Sequence, residues 1–301
     1  MLNFDHDLLA KLGSVPINPW PVEGTFSTDG DTVIGRGGWA FLYRCSNDYF
    51  HGYSPLEDDE RLGARWASNI GRWRESVEQR GVKFAVAIVP NKASLLPHAY
   101  PVNLPQKITG RARCLLDRLR PEDRTVWDSF INSQAKESLF RRNDTHLTEA
   151  GNLILASHLL AQLELPEVDI AFHCKAMSHT GHAGDIGRRF DPVAKETLTR
   201  LYHDWTLFCS ETLSGPIHQD GVLGISYQLV HQKPRTKARL MVFGNSFIER
   251  VPSWGAAPFL AASVAEMRFS WLPYVDLVMI DEWKPSHVIF QTCERFLSRT
   301  T

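Results

Sequence analysis

Two short stretches hold residue types that can move an acyl group. The first is Gly244–Asn245–Ser246, which follows the apolar run RLMVF at 239–243. A serine at the carboxyl end of a parallel strand points into the crevice where open α/β sheets bind ligands. Gly244 permits a tight exit from the strand. A helix starting near Ser246 would also offer unpaired backbone N–H groups to a developing oxyanion. The second stretch is Asp144–Thr145–His146. A serine hydroxyl is a weak nucleophile until a base takes its proton, and histidine does so near neutral pH. A carboxylate on the other ring nitrogen fixes the tautomer and stabilises the imidazolium. Ser246, His146 and Asp144 are therefore the candidate nucleophile, base and orienting acid. Each stretch has a plainer reading as well: Gly-Asn-Ser is often only a turn, and an Asp before a helix is often only a cap.

Other residues rank below these. Asn91 and Lys92 follow the run KFAVAIVP and would face the same crevice, either as substrate contacts or as a solvated loop. The histidines at 173, 179 and 182 fit no common zinc spacing, so no metal site and no cofactor are expected. Trp20, Trp39, Trp254, Trp271 and Trp283 include candidate sugar-stacking platforms, with core packing the default for each. Gly184–Asp185–Ile186–Gly187 reads as a turn.

The elements that must position these residues follow from periodicity. Residues 1–30 are rich in Pro and Gly and read as an N-terminal arm. DTVIGRGGWAFLYR reads as a β-hairpin. Leu62, Trp66, Ile70, Trp73 and Val77 form one apolar face, which predicts a helix over 57–80 closed by Gly81. KFAVAIVP (83–90) is continuous in apolar residues, as a strand covered on both faces is. A helix over 105–119, a strand over 125–130 (TVWDSF), a helix over 133–142 and an apolar helix over 153–163 follow. Residues 166–236 hold six of the twelve histidines among scattered Gly and Pro, and read as an insertion of short strands and loops. Strands at 239–243, 266–271 and 287–291 then alternate with helices at 256–265 and 274–282. That alternation predicts an α/β domain over 31–301 built on a parallel sheet.

Composition narrows the class. With 301 residues, 43% hydrophobic and 22% charged, the chain can bury a sizeable core. Thirty-three basic residues balance 34 acidic ones, so the basic excess of a nucleic-acid binder is missing. The start, MLNFDHDLLAKLG, lacks the features of a signal peptide, and no apolar run reaches membrane-spanning length; by sequence the expectation is cytoplasmic. Five widely spaced cysteines form neither a disulfide framework nor a zinc motif.

The motifs VFGNSF and DTHLTEAG resemble the nucleophile block and the terminal Asp–His block of the SGNH-hydrolase superfamily. Their order is reversed, which implies a circular permutation. KFAVAIVP would be the family's fourth strand, TVWDSF the fifth, RLMVF the first, EMRFSW the second and HVIFQ the third. GRGGWAFLY, VPNKASLLP, the Asp–x–His spacing, GDIG and ERFL are similar to the permuted alginate O-acetyltransferase-like (AlgX/AlgJ type) group, over roughly residues 30–300. The implied fold is a three-layer α/β sandwich of SGNH or flavodoxin-like type, with permuted order and a β-rich, irregular insertion. The implied activity is O-acetyl transfer to hydroxyls of a polysaccharide or other glycan through an acyl-serine. Its partners would be a glycan acceptor and an acyl donor, with room for an acyl-transferring partner protein. The resembled group is periplasmic. A carbohydrate acetylesterase would use the same triad. A glycan-binding module on a degraded scaffold is the alternative without catalysis, motivated by the third-strand block. There the family carries Gly–x–Asn–Asp, and this chain reads Gln291–Thr292–Cys293–Glu294–Arg295. Thr292 or Arg295 would then serve the oxyanion, beside Gly244 and Asn245. Leu147 stands where the alginate-type proteins have Trp, and Asn245 where the nucleophile block has Asp.

Overall fold

A computed structural model describes residues 11–44, 49–167, 174–214, 218–219, 222–223, 225–249 and 255–299. Residues 1–10 of the arm, His173 and Trp254 lie outside that set. The strands are β1 (Ser14–Ile17), β2 (Thr32–Ile34), β3 (Ala40–Leu42), β4 (Lys83–Val89), β5 (Cys174–His182), β6 (Lys195–His203), β7 (Phe208–Ser214), β8 (His218–Gln219), β9 (Val222–Leu223), β10 (Ser226–His231), β11 (Arg239–Gly244), β12 (Glu266–Trp271) and β13 (His287–Cys293). The α-helices are α1 (Asp59–Glu78), α2 (Lys92–Leu95), α3 (Gly110–Leu116), α4 (Thr125–Asn132), α5 (Glu149–Gln162), α6 (Ala257–Ala261) and α7 (Leu277–Trp283).

The central sheet runs β4-β13-β11-β12-β10-β7. Its first four strands are mutually parallel. In the family's strand numbering they read fourth, third, first, second. This is the 2-1-3-4 core of a doubly wound sheet, and its switch point lies between β11 and β13. The sheet is mixed rather than all parallel, because β10 and β7 add to it antiparallel. Both come from the stretch read as an insertion. A second sheet, β1-β6-β5, lays residues 14–17 antiparallel to residues 195–198. β2 and β3 form the expected hairpin.

Strand alternation divides the core. Phe84, Val86 and Ile88 of β4 join Trp66, Ile70 and Val77 of α1, with Ile280 and Trp283 of α7, on one face. Ala85, Ala87 and Val89 meet Leu153, Ile154 and Leu160 of α5 and Phe259 of α6 on the other. Three layers follow directly from period-2 patterning on strands covered on both sides.

TVWDSF is a correction. It is helix α4, not a fifth strand. Val126, Trp127 and Phe130 are buried at helical spacing, and a 3-10 turn over Pro121–Arg124 leads into it. Val126 and Phe130 enter one core and Trp127 the other, so α4 caps the β4 edge. At that edge the Gln162 amide bonds Val86 twice: Val86 N donates to Oε1 at 3.2 Å and Nε2 donates to Val86 O at 3.3 Å. Residues 133–142 hold only a short 3-10 turn, Lys136–Ser138, and a bridge from Phe140 to Leu147. The second predicted helix is trimmed to α3, and α5 begins four residues earlier than predicted because Thr148 caps it, its hydroxyl accepting from Gly151 N.

Candidate active site

The carboxyl ends of β11, β13 and β4 carry most of the residues singled out by sequence. The loop before α5 brings Asp144 and His146 to them. Phe140 and Leu147 pair across this loop, so residues 141–146 form a closed bend. Asp144 is buried and His146 half-buried. Nδ1 of His146 lies 2.6 Å from Oδ1 of Asp144, which also accepts the His146 backbone N–H at 3.0 Å. A carboxylate only accepts, so Nδ1 carries the proton and Nε2 is the basic atom.

The other carboxylate oxygen of Asp144 is held too. Oδ2 accepts from His182 Nε2 at 3.3 Å and from Asp185 N at 3.4 Å, and Arg141 lies 3.8 Å away. Burial opposes the Asp144 charge, but His146, His182 and Arg141 overcome it and hold the carboxyl well below the usual range. Burial likewise opposes protonation of His146. The charge and hydrogen bond of Asp144, with Asp185 behind, prevail and raise its pKa. Asp185 accepts from Thr145 N at 2.7 Å and from the Thr145 hydroxyl. Burial and the neighbouring Asp144 charge push the Asp185 pKa up.

Ser246 sits in a turn rather than at the start of a helix. Asn245 builds that turn: its Oδ1 accepts from Phe247 N at 3.1 Å, and its carbonyl accepts from Ile248 N and Glu249 N. Those amides are therefore spent locally. The Phe247 ring lies 5.9 Å from the His146 ring, centroid to centroid, so the residue after the serine packs on the histidine. Asn245 N donates to Gln291 Oε1 at 3.1 Å. A Cβ on Gly244 would lie 3.0 Å from that same oxygen, so any larger residue there would press on the Gln291 side chain. Gln291 is buried, and its Nε2 has no hydrogen-bond partner among the described residues. Thr292 is buried on the opposite face of β13 from Gln291, by strand alternation.

Arg295 places its guanidinium over Phe247, 5.3 Å from the ring centroid, and lines a small cavity with Lys92, Thr145 and Ile186. Asn91 joins two strand ends, its Oδ1 accepting from Arg295 N and its own N–H donating to Glu294. Lys92 is buried, and its Nζ donates to the carbonyls of Ala40 (2.8 Å) and Arg142 (3.3 Å), tying the hairpin to the Asp–His bend. Burial lowers its pKa to about 8. Sequence reading missed His182, Gln291 and the second role of Asp185. Their partners lie 38 to 46 residues away, and no local spacing signals them.

Asp144, His146 and Asp185 place one ligand atom each within 4.8 Å of the others. Two ligands of a tetrahedral zinc stand about 3.3 Å apart, given bonds of ~2.0–2.1 Å. The 2.6 Å separation of Nδ1 and Oδ1 is that of a hydrogen bond instead. Cys114, Cys209 and Cys293 are free thiols. No helix among the described residues is long and apolar enough to cross a membrane.

Comparison with known proteins bears on the family and the fold. Over 182 residues the chain is 30% identical to the probable alginate O-acetylase AlgJ of Pseudomonas aeruginosa, covering 56% of this chain and 44% of that relative, so it spans less than half of the relative's length. The O-acetyltransferase domain of Pseudomonas putida AlgJ superposes with a TM-score of 0.54 at 17% identity, over 90% of this chain and 93% of that one. Bacillus cereus PatB1 does so with a TM-score of 0.62 at 14% identity, over 82% and 93%. At these identities the structures show a shared fold. The family model described as "SGNH hydrolase-like domain, acetyltransferase AlgX" matches residues 32–264. The chain belongs to this SGNH hydrolase-like acetyltransferase family.

Proposed function

We propose that the chain is an O-acetyltransferase acting on glycan hydroxyls, with Ser246 as nucleophile, His146 as base and Asp144 as its orienting carboxylate. The observation that carries this reading is the 2.6 Å Asp144–His146 pair, beside the residue that follows Ser246 at a topological switch point. Ser246 Oγ attacks the acyl carbonyl of the donor while His146 Nε2 takes its proton. The tetrahedral oxyanion collapses, and the leaving group departs with that proton. An acceptor hydroxyl then gives its proton to His146 and attacks the acyl-serine, which restores Ser246. Water in place of the acceptor makes the same site an esterase.

The oxyanion needs preorganised donors. The turn amides at 247–249 are engaged, so the Ser246 amide and Gln291 Nε2 are the donors we assign. Gln291 is pinned by the amide of the residue next to Ser246, which fixes where its unpartnered N–H group can point. Thr292 and Arg295 are not needed for this role; Arg295 instead offers a cation for an acidic donor or acceptor at the same rim.

The experiment is turnover of p-nitrophenyl acetate by wild type and Ser246→Ala, with and without an added oligosaccharide acceptor. The reading requires loss of turnover in the variant and acetylated sugar in the wild type. Equal hydrolysis rates would overturn the serine mechanism. Acetate release without sugar acetylation would leave an esterase.

A further inference from the structure

The turn at Gly184–Gly187 does more than reverse the chain. It packs backbone against the Asp–His bend. A Cβ on Gly184 would lie 2.4 Å from Asn143 O and 2.6 Å from Asp144 Cβ. One on Gly187 would lie 2.4 Å from Ala194 O and 2.9 Å from Asn143 Cβ. No side chain fits at either position unless the bend moves. Gly187 N also donates to Asn143 O at 2.8 Å, and Asn143 Nδ2 donates to His182 O (2.8 Å) and Ala194 O (2.9 Å). The strand leading into this segment is re-aimed just before it: the β5–β6 register shifts between Thr180 and His182, with Gly181 at φ 84°. Such a bulge turns a side chain out of the ladder. Here it coincides with His182 meeting Asp144.

We propose that segment 182–187 is a positioning element for the Asp144–His146 pair, with His182 and Asp185 setting the orientation and proton affinity of His146. The proposal rests on reading His146 as the base. The two residues act with opposite sign. His182 donates to the Asp144 carboxylate and withdraws charge from it. Removing that donor makes Asp144 a stronger acceptor, and His146 binds its proton more tightly. Asp185 adds negative charge 3.8 Å from His146 Nδ1, and removing that charge loosens the proton. Among the described residues, the other charged groups around the ring are Arg141, Glu249 and, across Phe247, Arg295; Lys92 faces Asp144 and Asp185. None of them is altered in the variants below.

The test is an NMR titration of the His146 imidazole in the full chain, alongside the acid limb of kcat/KM for p-nitrophenyl acetate. His182→Ala should raise the His146 midpoint and Asp185→Asn should lower it, each by on the order of half a pH unit. His182→Gln, which keeps a donor, should restore the wild-type midpoint. Unchanged midpoints, or shifts of the same sign in both variants, would overturn the proposal. Loss of fold is monitored by far-UV circular dichroism, and Asp185→Asn keeps the acceptor for Thr145. Ser246→Ala with undiminished hydrolysis would sink the acyl-serine reading, while the two opposed NMR shifts would still decide this one.

Discussion

The Nδ1 atom of His146 lies 2.6 Å from Oδ1 of Asp144 and 3.8 Å from Oδ2 of Asp185, so one edge of the imidazole faces two carboxylates. Its proton affinity is raised by this arrangement against the effect of burial. A base must be neutral to act. Activity should therefore fall as pH drops through the raised His146 pKa, with the acid limb of kcat/KM above the usual histidine value of about 6.5. A limb at or below that value would contradict the electrostatic account.

Ser246 should trap the acyl group. Intact-mass spectrometry after brief exposure to an activated acetyl ester should show one added acetyl per chain, lost in Ser246→Ala. In His146→Ala the acetylation rate should fall by about three orders of magnitude or more. Acetyl found on Lys92 instead would point to non-specific chemistry at a lysine whose pKa is near 8.

Gln291→Ala should lower kcat by about 10²–10³-fold with little change in KM, the signature of a contact made in the transition state. Loss through KM alone would place Gln291 in substrate binding. Thr292→Val should keep near-wild-type kcat, since Thr292 lies on the other face of β13.

Glu294 is a structural rather than chemical feature. It is fully buried and accepts from Asn91 N (2.9 Å), Ser94 Oγ (2.6 Å) and Thr109 N (2.7 Å). Burial pushes its carboxyl pKa up. Glu294→Ala would strand three buried donors and should destabilise the chain by about 3 kcal/mol or more, read as a lower urea midpoint. Glu294→Gln, which keeps an acceptor, should cost less. Equal losses for the two would mean that the charge, not the hydrogen bonding, matters.

How much of this was legible depended on the range of the interaction. β4, α1, β11, β12 and β13 are announced by local periodicity, since each buries a face that its own residues define. Asp144 and His146 meet across two residues, so their pairing could be read from spacing. TVWDSF misled because six residues are too few to separate a strand from a helix that buries Val126, Trp127 and Phe130. The antiparallel strands β7 and β10 lie in a stretch broken by glycines and prolines; β7 is mostly exposed, whereas β10 is mostly buried. The local sequence around His182 says only that its spacing does not suit zinc. Its partner is a carboxylate 38 residues earlier, brought close by the bulge at Gly181, and no window on the sequence contains both.

The Gln162 amide on Val86 has a consequence for how copies of this chain meet one another. β4 ends the sheet, and a strand edge with open N–H and C=O groups invites pairing with a strand from another molecule. Gln162 supplies one donor and one acceptor, as the peptide of a neighbouring strand would, and so imitates a single residue of a paired strand. Substitution by Leu would keep the helix and reopen the edge at Val86. Such a variant should form cross-molecule sheet contacts and lose solubility on concentration, before any change in catalysis is seen. At this edge α4 covers the sheet, and one side chain completes the ladder at Val86.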